Sequence, residues 1–523
     1  MGNYLVGCDI GSSQTKAVVI DEEGNVLGKK YIGYPTLTNS KGWAEHDPEQ
    51  YWSTTADCIA ESIKEARIDP KDIRGVAISA HSPASILVDE NFNALNLSHF
   101  WMDRRGTAEA EYINEKIGAD RVFEVSGNVS DPYYATVKLL WEKNNRPELY
   151  NRAKKFQTAA DYPRMKLTGK MVTDYSNASL IGVGFDIVGR KWNTDILETI
   201  GLDPDKFPDL VPCEQVVGEV TAEAAERTGL KKGTPVIAGT VDCNAAWVAG
   251  GVLDDGDMSL VMGSAGVMGV VHEEPTFTRN LVTIIHAANS EKMYTTVVAT
   301  CGCGSSLQYF KEKFGDLDGI VADQVGMNKY TYLCDKAGEV PVGSDGLITL
   351  PYYMGERTPI WNPISRGVVF GLGYSHTKYH MLRSFMEGSA LAIKHNFELM
   401  RETGVKMNMP LIMGEGGAQS RIWRQIISDC LGIPGIYMSN SMGAPVGDAI
   451  LAGVGAGVFR DCNVVKDWVK LSDKTEPDAK NHEIYNDIYK IYRELYEEVK
   501  DTYKELVPLV KKIDAVKASK ENN

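Results

Sequence analysis

An α/β protein built from two related domains is the fold this sequence predicts, and three observations carry it. The chain has 523 residues, too long for one ordinary core. Short apolar strands alternate with helical segments through its first half. A strand, Gly/Ser turn, strand unit occurs at the N-terminus and again just past the midpoint, which suggests duplication.

In chain order, Tyr4-Leu5-Val6-Gly7-Cys8 reads as a buried strand and Ala17-Val18-Val19-Ile20 as its antiparallel partner. Residues 49–66 read as a helix, 73–79 as a strand and 137–144 as a second helix. A turn-rich bridge at 229–235 leads into the strand Val236-Ile237-Ala238-Gly239, and the small residues through Gly251 open a helix. The second hairpin is Met258-Ser259-Leu260-Val261-Met262, the turn Gly263-Ser264-Ala265-Gly266, then Val267-Met268-Gly269-Val270-Val271. Residues 484–506 carry Tyr485, Ile488, Tyr492, Leu495 and Val499 at helical spacing among Lys and Glu, an amphipathic helix whose tyrosines pack on the second domain. That helix is open equally to a homodimer interface. Residues from Lys517 onward are expected to fray. The domains are placed at 1–250 and 251–523, joined by a short hinge.

A net charge of -15 without a long basic run argues against nucleic acid or an anionic membrane as partner. No signal-length or membrane-length apolar run is read, so a cytoplasmic location is expected. Nine scattered cysteines fit small buried thiols, and the one close pair, Cys301-Gly302-Cys303, lacks zinc-knuckle spacing. There is no H-E-x-x-H, no G-x-S-x-G and no G-x-x-x-x-G-K-[ST], so zinc protease, serine hydrolase and P-loop readings fall away. Gly453-Val454-Gly455-Ala456-Gly457 lacks the strand-to-helix setting of a dinucleotide fingerprint and reads as close helix packing.

Chemistry concentrates at two acids that end apolar strands. In Asp9-Ile10-Gly11-Ser12-Ser13-Gln14-Thr15-Lys16, Gly11 permits a tight turn and the Ser12, Ser13 and Thr15 hydroxyls can face an anion. Asp9 suits Mg²⁺ or its water shell, a hard ion that prefers oxygen ligands. The alternative is a hairpin whose polar residues only satisfy the turn. Asp242 ends the strand at 236–241 beside small residues, which suits a carboxylate taking a proton from a hydroxyl that attacks a phosphoryl group; the alternative is a helix cap. Two further Gly-rich approaches, Gly302-Cys303-Gly304-Ser305-Ser306 and Gly414-Glu415-Gly416-Gly417-Ala418, precede helices and can touch a nucleotide.

With these stand several ordered blocks: Gly42-Trp43-Ala44-Glu45-His46-Asp47-Pro48, Trp101-Met102-Asp103-Arg104-Arg105, Leu167-Thr168-Gly169, and Thr173-Asp174-Tyr175-Ser176-Asn177-Ala178-Ser179. Later come Gly355-Glu356-Arg357-Thr358-Pro359, Ser365-Arg366-Gly367, Glu387-Gly388, and Gly416-Gly417-Ala418-Gln419-Ser420 with Trp423-Arg424-Gln425. Over nearly its whole length the chain resembles the FGGY family of carbohydrate kinases. The resemblance implies a duplicated actin/hexokinase-like (ribonuclease H-like) fold with an interdomain cleft, and ATP-dependent phosphorylation of a sugar or polyol with Mg²⁺. It implies Asp242 as the base, Asp9 at the metal, and Ser12, Ser13 and Lys16 at the phosphates. Gly263, Ser264, Gly304, Gln308, Gly417, Ala418 and Arg421 would line the nucleotide. His81, Trp101, Asp103, Tyr133 and Asp242 would line the sugar. His81-Ser82-Pro83 stands where xylulokinase-like members carry Gln-Met-His and glycerol kinase-like members carry Arg-Glu, which tells against glycerol. The blocks at 355–359 and 365–367 resemble the pentulose branch, so a ketopentose such as xylulose is expected, with erythritol-like polyols, ketohexoses and glycerol as alternatives. An actin-like ATPase switch would share the hairpins without needing a sugar pocket.

Overall fold

A computed structural model of the chain describes residues 2–39, 43–440 and 442–521. It divides into two compact units, one of Met1–Asp255, Val271–Thr296 and Asn440–Val469, the other of Gly256–Val270, Val297–Ser439 and Lys470–Asn523. The first break falls five residues past the expected boundary at 250, but two later segments return to the first unit, so sequence order and compact units do not coincide. Gly42, in one of the recognised blocks, lies outside the described residues.

The first unit is organised by a six-stranded sheet of β1 (Tyr4–Ile10), β2 (Gln14–Ile20), β3 (Val26–Gly33), β4 (Ile73–Ala80), β5 (Val216–Glu219) and β6 (Pro235–Val241), ordered β5-β6-β4-β1-β2-β3. β1 is antiparallel to β2 and parallel to β4, and β4 is parallel to β6. Leu5, Val6, Cys8 and Ile10 are all buried because both faces of β1 are covered. Helix Pro48–Ala66 covers one face, begun by the Asp47 cap and Pro48, with Tyr51, Cys58, Ile59 and Ile63 turned inward. Helix Ala444–Gly455 covers the other.

That second helix lies unusually close. A Cβ on Gly7 of β1 would stand 1.8 Å from the carbonyl oxygen of Pro445, and one on Gly447 would stand 1.9 Å from that of Ala245. Gly453 meets the side chains of Phe459 and Leu5 and Gly455 that of Ile237, so these two glycines serve packing, whereas a Cβ on Gly457 would meet nothing within 4 Å.

The second unit repeats the plan. Its strands are β7 (Met258–Met262), β8 (Gly266–His272), whose last two residues belong to the first unit, β9 (Tyr294–Thr300), which enters at Val297, β10 (Leu411–Gly414), β11 (Gly435–Met438) and β12 (Leu471–Thr475). The sheet has seven strands; inside the edge strand Val282–Ile285, which lies in the first unit, the order β9-β8-β7-β10-β11-β12 matches β3-β2-β1-β4-β6-β5. The senses match too: β7 is antiparallel to β8 and parallel to β10, β10 is parallel to β11, and β12, like β5, closes the edge antiparallel. The duplication, weak letter by letter, is clear in strand order and sense, although the chain reaches the outer strand before its neighbour in the first sheet and after it in the second.

One C-terminal helix was expected over 484–506. The structure has two, Ala479–Val499 and Tyr503–Glu521, because the chain turns at 500–502 and buries Tyr503, whose hydroxyl donates to the Arg366 carbonyl at 2.8 Å. The residues 517–521 expected to fray continue that helix in their backbone. Tyr485 and Tyr492 are buried and bond to Glu387 and Tyr352, so the tyrosine stripe packs within its own unit.

Gly447→Ala must push apart two backbones, at about 1–3 kcal/mol or more. A fall of several degrees in melting temperature is expected. Gly416→Ala, whose Cβ would meet nothing within 4 Å, should melt like the parent; equal melting of both variants would contradict the close packing.

Candidate functional site

In the first unit, strand register gathers polar residues at the C-terminal ends of three parallel strands: Asp9 pairs with Ser79, and Ser79 with Thr240. Asp242 follows at the first position of helix Asp242–Ala249, half-buried, with Oδ1 accepting from the Cys243 N–H at 2.6 Å. The cap position itself is Val241, so the helix-cap alternative does not describe Asp242. The helix is fixed by Asn244, whose Nδ2 donates to Ser176 Oγ at 3.0 Å and to the Ile285 carbonyl at 2.8 Å, while its Oδ1 accepts from the Ala287 N–H at 3.2 Å.

Asp9 is buried, and Lys16 Nζ lies 3.4 Å from its Oδ2. Burial raises its pKa, and the Lys16 charge and hydrogen bond only partly offset that. Its Oδ1 has no hydrogen-bond partner among the described residues. A buried carboxylate oxygen left over in this way fits a hard divalent cation. Among the described residues no group of three His, Cys, Asp or Glu is placed to hold a metal.

The hairpin turn closes by Gly11 N–H to Gln14 O at 2.9 Å, and Tyr34 braces it through bonds to Gly11 O and Ser13 O. Ser12 and Ser13 are exposed, and Lys16 is half-buried. Thr15 departs from the expectation: its hydroxyl points inward to Thr54 Oγ1 at 2.7 Å, because Thr15 falls on the core face of β2.

Among the expected sugar-lining residues, Trp101 Nε1 donates to Ser12 Oγ at 3.2 Å, and Tyr133 OH donates to the Ser82 carbonyl, also at 3.2 Å, next to His81. His81 is buried with Nδ1 unpartnered among the described residues. Asp103 is placed differently. It is fully buried, and both oxygens are taken by the Arg105 fork and the Ala44 and Arg105 N–H groups. Burial pushes its carboxyl up, and these donors outweigh that and hold it below the usual carboxylate range. Arg105 in turn binds Glu45 and lies over the Trp43 ring at 4.0 Å. Asp103 therefore anchors the loop that carries Trp101 and offers no free oxygen to a sugar.

In the second unit a cavity of about 580 Å³ is lined by Gly263, Ser264, Gly304, Gln308, Gly417 and Arg421. These come from the second hairpin, the start of helix Gly304–Phe314, and the approach to helix Arg421–Leu431. The hairpin is pinned to the helix start: Gly304 N–H donates to Gly263 O at 2.8 Å and Ser305 N–H to Ser264 O at 3.0 Å. A Cβ on Gly304 would reach 2.5 Å from Gly263 O, so only glycine allows this contact. Glu356 holds the preceding loop, accepting from Thr300 Oγ1 at 2.6 Å and Cys301 N–H at 2.9 Å. Arg421 is ion-paired with Asp473. Ala418, expected at the nucleotide, is wholly buried and is not among the lining residues; it packs beneath them.

The N-terminal domain of the FGGY family of carbohydrate kinases matches residues 4–249, and the C-terminal domain of the same family matches residues 258–456. The chain belongs to this family. It is 29% identical to the xylulose kinase of Bacillus subtilis (strain 168) over 492 residues, covering 94% of this chain and 96% of that one. It is also 29% identical to the gluconokinase of the same organism over 499 residues, covering 94% and 95%. The crystal structure of xylulose kinase from Rhodospirillum rubrum superposes with a TM-score of 0.85 at 28% identity, over 96% of this chain and 100% of that one. The protein is thus a carbohydrate kinase with the actin/hexokinase-like fold. None of its described helices is long and apolar enough to cross a membrane.

In this FGGY kinase, sequence reasoning missed Asp448. It sits fully buried in helix Ala444–Gly455, with Oδ2 accepting from Ser79 Oγ at 2.7 Å and Oδ1 unpartnered among the described residues. Burial raises its pKa well above the carboxylate range, and the negative fields of Asp9 and Asp242 add to that against the Ser79 bond. The available signal was an acid inside an otherwise apolar helix. Thr331, Cys334 and Asp335 were missed as well; they reach the cavity from one face of helix Lys329–Gly338.

Asn244→Ala removes three bonds that hold the Asp242 helix. Stability should fall by about 1–3 kcal/mol, and turnover by roughly tenfold as Asp242 loses its placement. Thermal melts and steady-state kinetics read the two effects, and unchanged turnover would count against the positioning role.

Proposed function

We propose that this kinase transfers the terminal phosphoryl group of ATP to a hydroxyl of a ketopentose such as xylulose, with Asp242 as base. The observation carrying this reading is Asp242 at the head of a helix locked by Asn244, in the unit that also holds His81, Trp101 and Tyr133. The Asp242 carboxylate orients the sugar hydroxyl and takes its proton as the oxygen bonds to the γ-phosphorus. The bond from that phosphorus to the bridging oxygen breaks, and ADP leaves with the electron pair. Base catalysis of this kind contributes about 10²- to 10⁴-fold.

ATP is assigned to the cavity of the second unit. The 580 Å³ available suits a nucleoside, and the Gly/Ser turn gives fixed donors for phosphate oxygens. Ser12, Ser13 and Lys16 are assigned to the transferring end of the polyphosphate. Mg²⁺, when bound, offsets phosphate charge, and Asp9 Oδ1 is the atom suited to it or to its water.

The xylulose assignment is supported by similarity to proteins named xylulose kinase. A second reading, a six-carbon aldonate, is favoured by equal identity to a gluconokinase. ADP release should be measured with Mg²⁺ and ATP across ketopentoses, ketohexoses, gluconate, glycerol and erythritol. A ketopentose is expected to give the highest kcat/KM, and a larger value for gluconate would select the second reading. Asp242→Asn should lower kcat by at least 10²-fold while nucleotide binding, read by calorimetry, persists; loss of both together would make Asp242 structural.

A further inference from the structure

His81 does not stand alone in its unit. Thr36 Oγ1 lies 2.8 Å from His46 Nε2, His46 Nδ1 lies 2.7 Å from the Tyr51 hydroxyl, and that hydroxyl lies 3.1 Å from His81 Nε2. The rings also pack on one another. His46 and His81 meet edge to face at 5.4 Å, and Phe100 contacts both at 4.6 and 4.9 Å. The chain of bonds ends at His81 Nδ1, which is buried and has no partner among the described residues.

Burial holds His46 down to about 4, and burial together with the neighbouring His46 and Lys138 charges keeps His81 well below its usual value. At neutral pH each ring therefore carries a single N–H. Tyr51 has one proton to share among two ring nitrogens and the neighbouring Ser98 hydroxyl, and the unequal lengths of the two histidine links assign one as O–H to N and the other as N–H to O. The shorter link, at 2.7 Å, fits a phenol donating to His46 Nδ1, and the longer, at 3.1 Å, fits His81 Nε2–H donating to the phenol oxygen. His46 Nε2–H then donates to Thr36, and His81 is left with a bare lone pair on Nδ1.

We propose that Tyr51, backed by His46 and Thr36, is a positioning residue that fixes the His81 tautomer, so that Nδ1 accepts a hydrogen bond from a substrate hydroxyl. The inference rests on the sugar-kinase reading for the identity of that hydroxyl, but the tautomer is a property of the free protein. A buried acceptor aimed at one hydroxyl discriminates against the corresponding deoxy compound, because the acceptor is then stranded.

Two measurements test it on the full chain. In the first, ¹⁵N NMR of histidine-labelled protein without ligands, with His81 identified by loss of its signals in His81→Asn, should place Nδ1 in the unprotonated range and Nε2 in the protonated range. The reverse pattern overturns the proposal whether or not any sugar is a substrate. The second uses the best substrate from the panel. Tyr51→Phe and His46→Leu should each raise its KM by about 3- to 10-fold with little change in kcat or in the KM for ATP. His46→Gln, whose amide oxygen can still accept from Tyr51, should restore the parent KM. A merely structural role would make His46→Leu and His46→Gln behave alike, and that result overturns the proposal. Failure of every sugar to release ADP from the parent protein would refute the kinase substrate reading, with the NMR result still deciding the tautomer.

Discussion

The close approach of helix Ala444–Gly455 to strands β1 and β4 is the constraint on which the first unit of this molecule depends. Glycine at 7 and at 447 lets backbone meet backbone: a side chain at 7 would hold the helix off the sheet, and one at 447 would hold it off helix Asp242–Ala249. At that distance the helix delivers Asp448 to Ser79, whose strand lies directly between that of Asp9 and the one leading to Asp242. Three acids are thereby gathered on one rigid support. Burial raises the pKa of both Asp9 and Asp448, and for Asp448 the neighbouring charges of Asp9 and Asp242 add to it.

The polar residues of the family blocks divide by burial into those proposed to touch ligands and those that hold these residues in place. Asp103, Asn244 and Glu356 are buried and saturated with hydrogen bonds, and each lies beside an element assigned to chemistry. Asp103 supports the Trp101 loop, Asn244 the Asp242 helix, and Glu356 the loop leading to Gly304. A buried polar group without partners costs about 1–3 kcal/mol, so each of these residues commits its loop to one geometry. Ser12, Ser13 and Ser264 are exposed turn residues, as contact with phosphates requires.

Much of this was legible in the sequence because it is local. The two hairpins declare themselves through apolar runs flanking Gly/Ser turns, and Asp9 and Asp242 stand out as acids ending such runs. Thr15 was misread because alternation along β2 turns its hydroxyl inward, and a register read from a turn alone leaves the face of the next residue open. Ala418 was misread because one glycine-rich approach contains both lining and packing residues. Asp448 left only the faint signal of an acid in an apolar helix, since its partners Ser79 and Asp9 lie more than 360 residues away.

By itself the sequence determined the fold class, the hairpins, the two strand-end acids and the family, since each is written in short windows of hydrophobic period, turn chemistry and ordered motifs. Only the tertiary structure decided that segments beyond residue 270 complete the first unit, that Asp103 is an anchor, and that Thr36, His46, Tyr51 and His81 form one chain of bonds. The physical reason is that hydrogen bonds and close packing act over a few ångströms in space irrespective of separation along the chain. A single sequence records which groups exist and leaves open which of them meet.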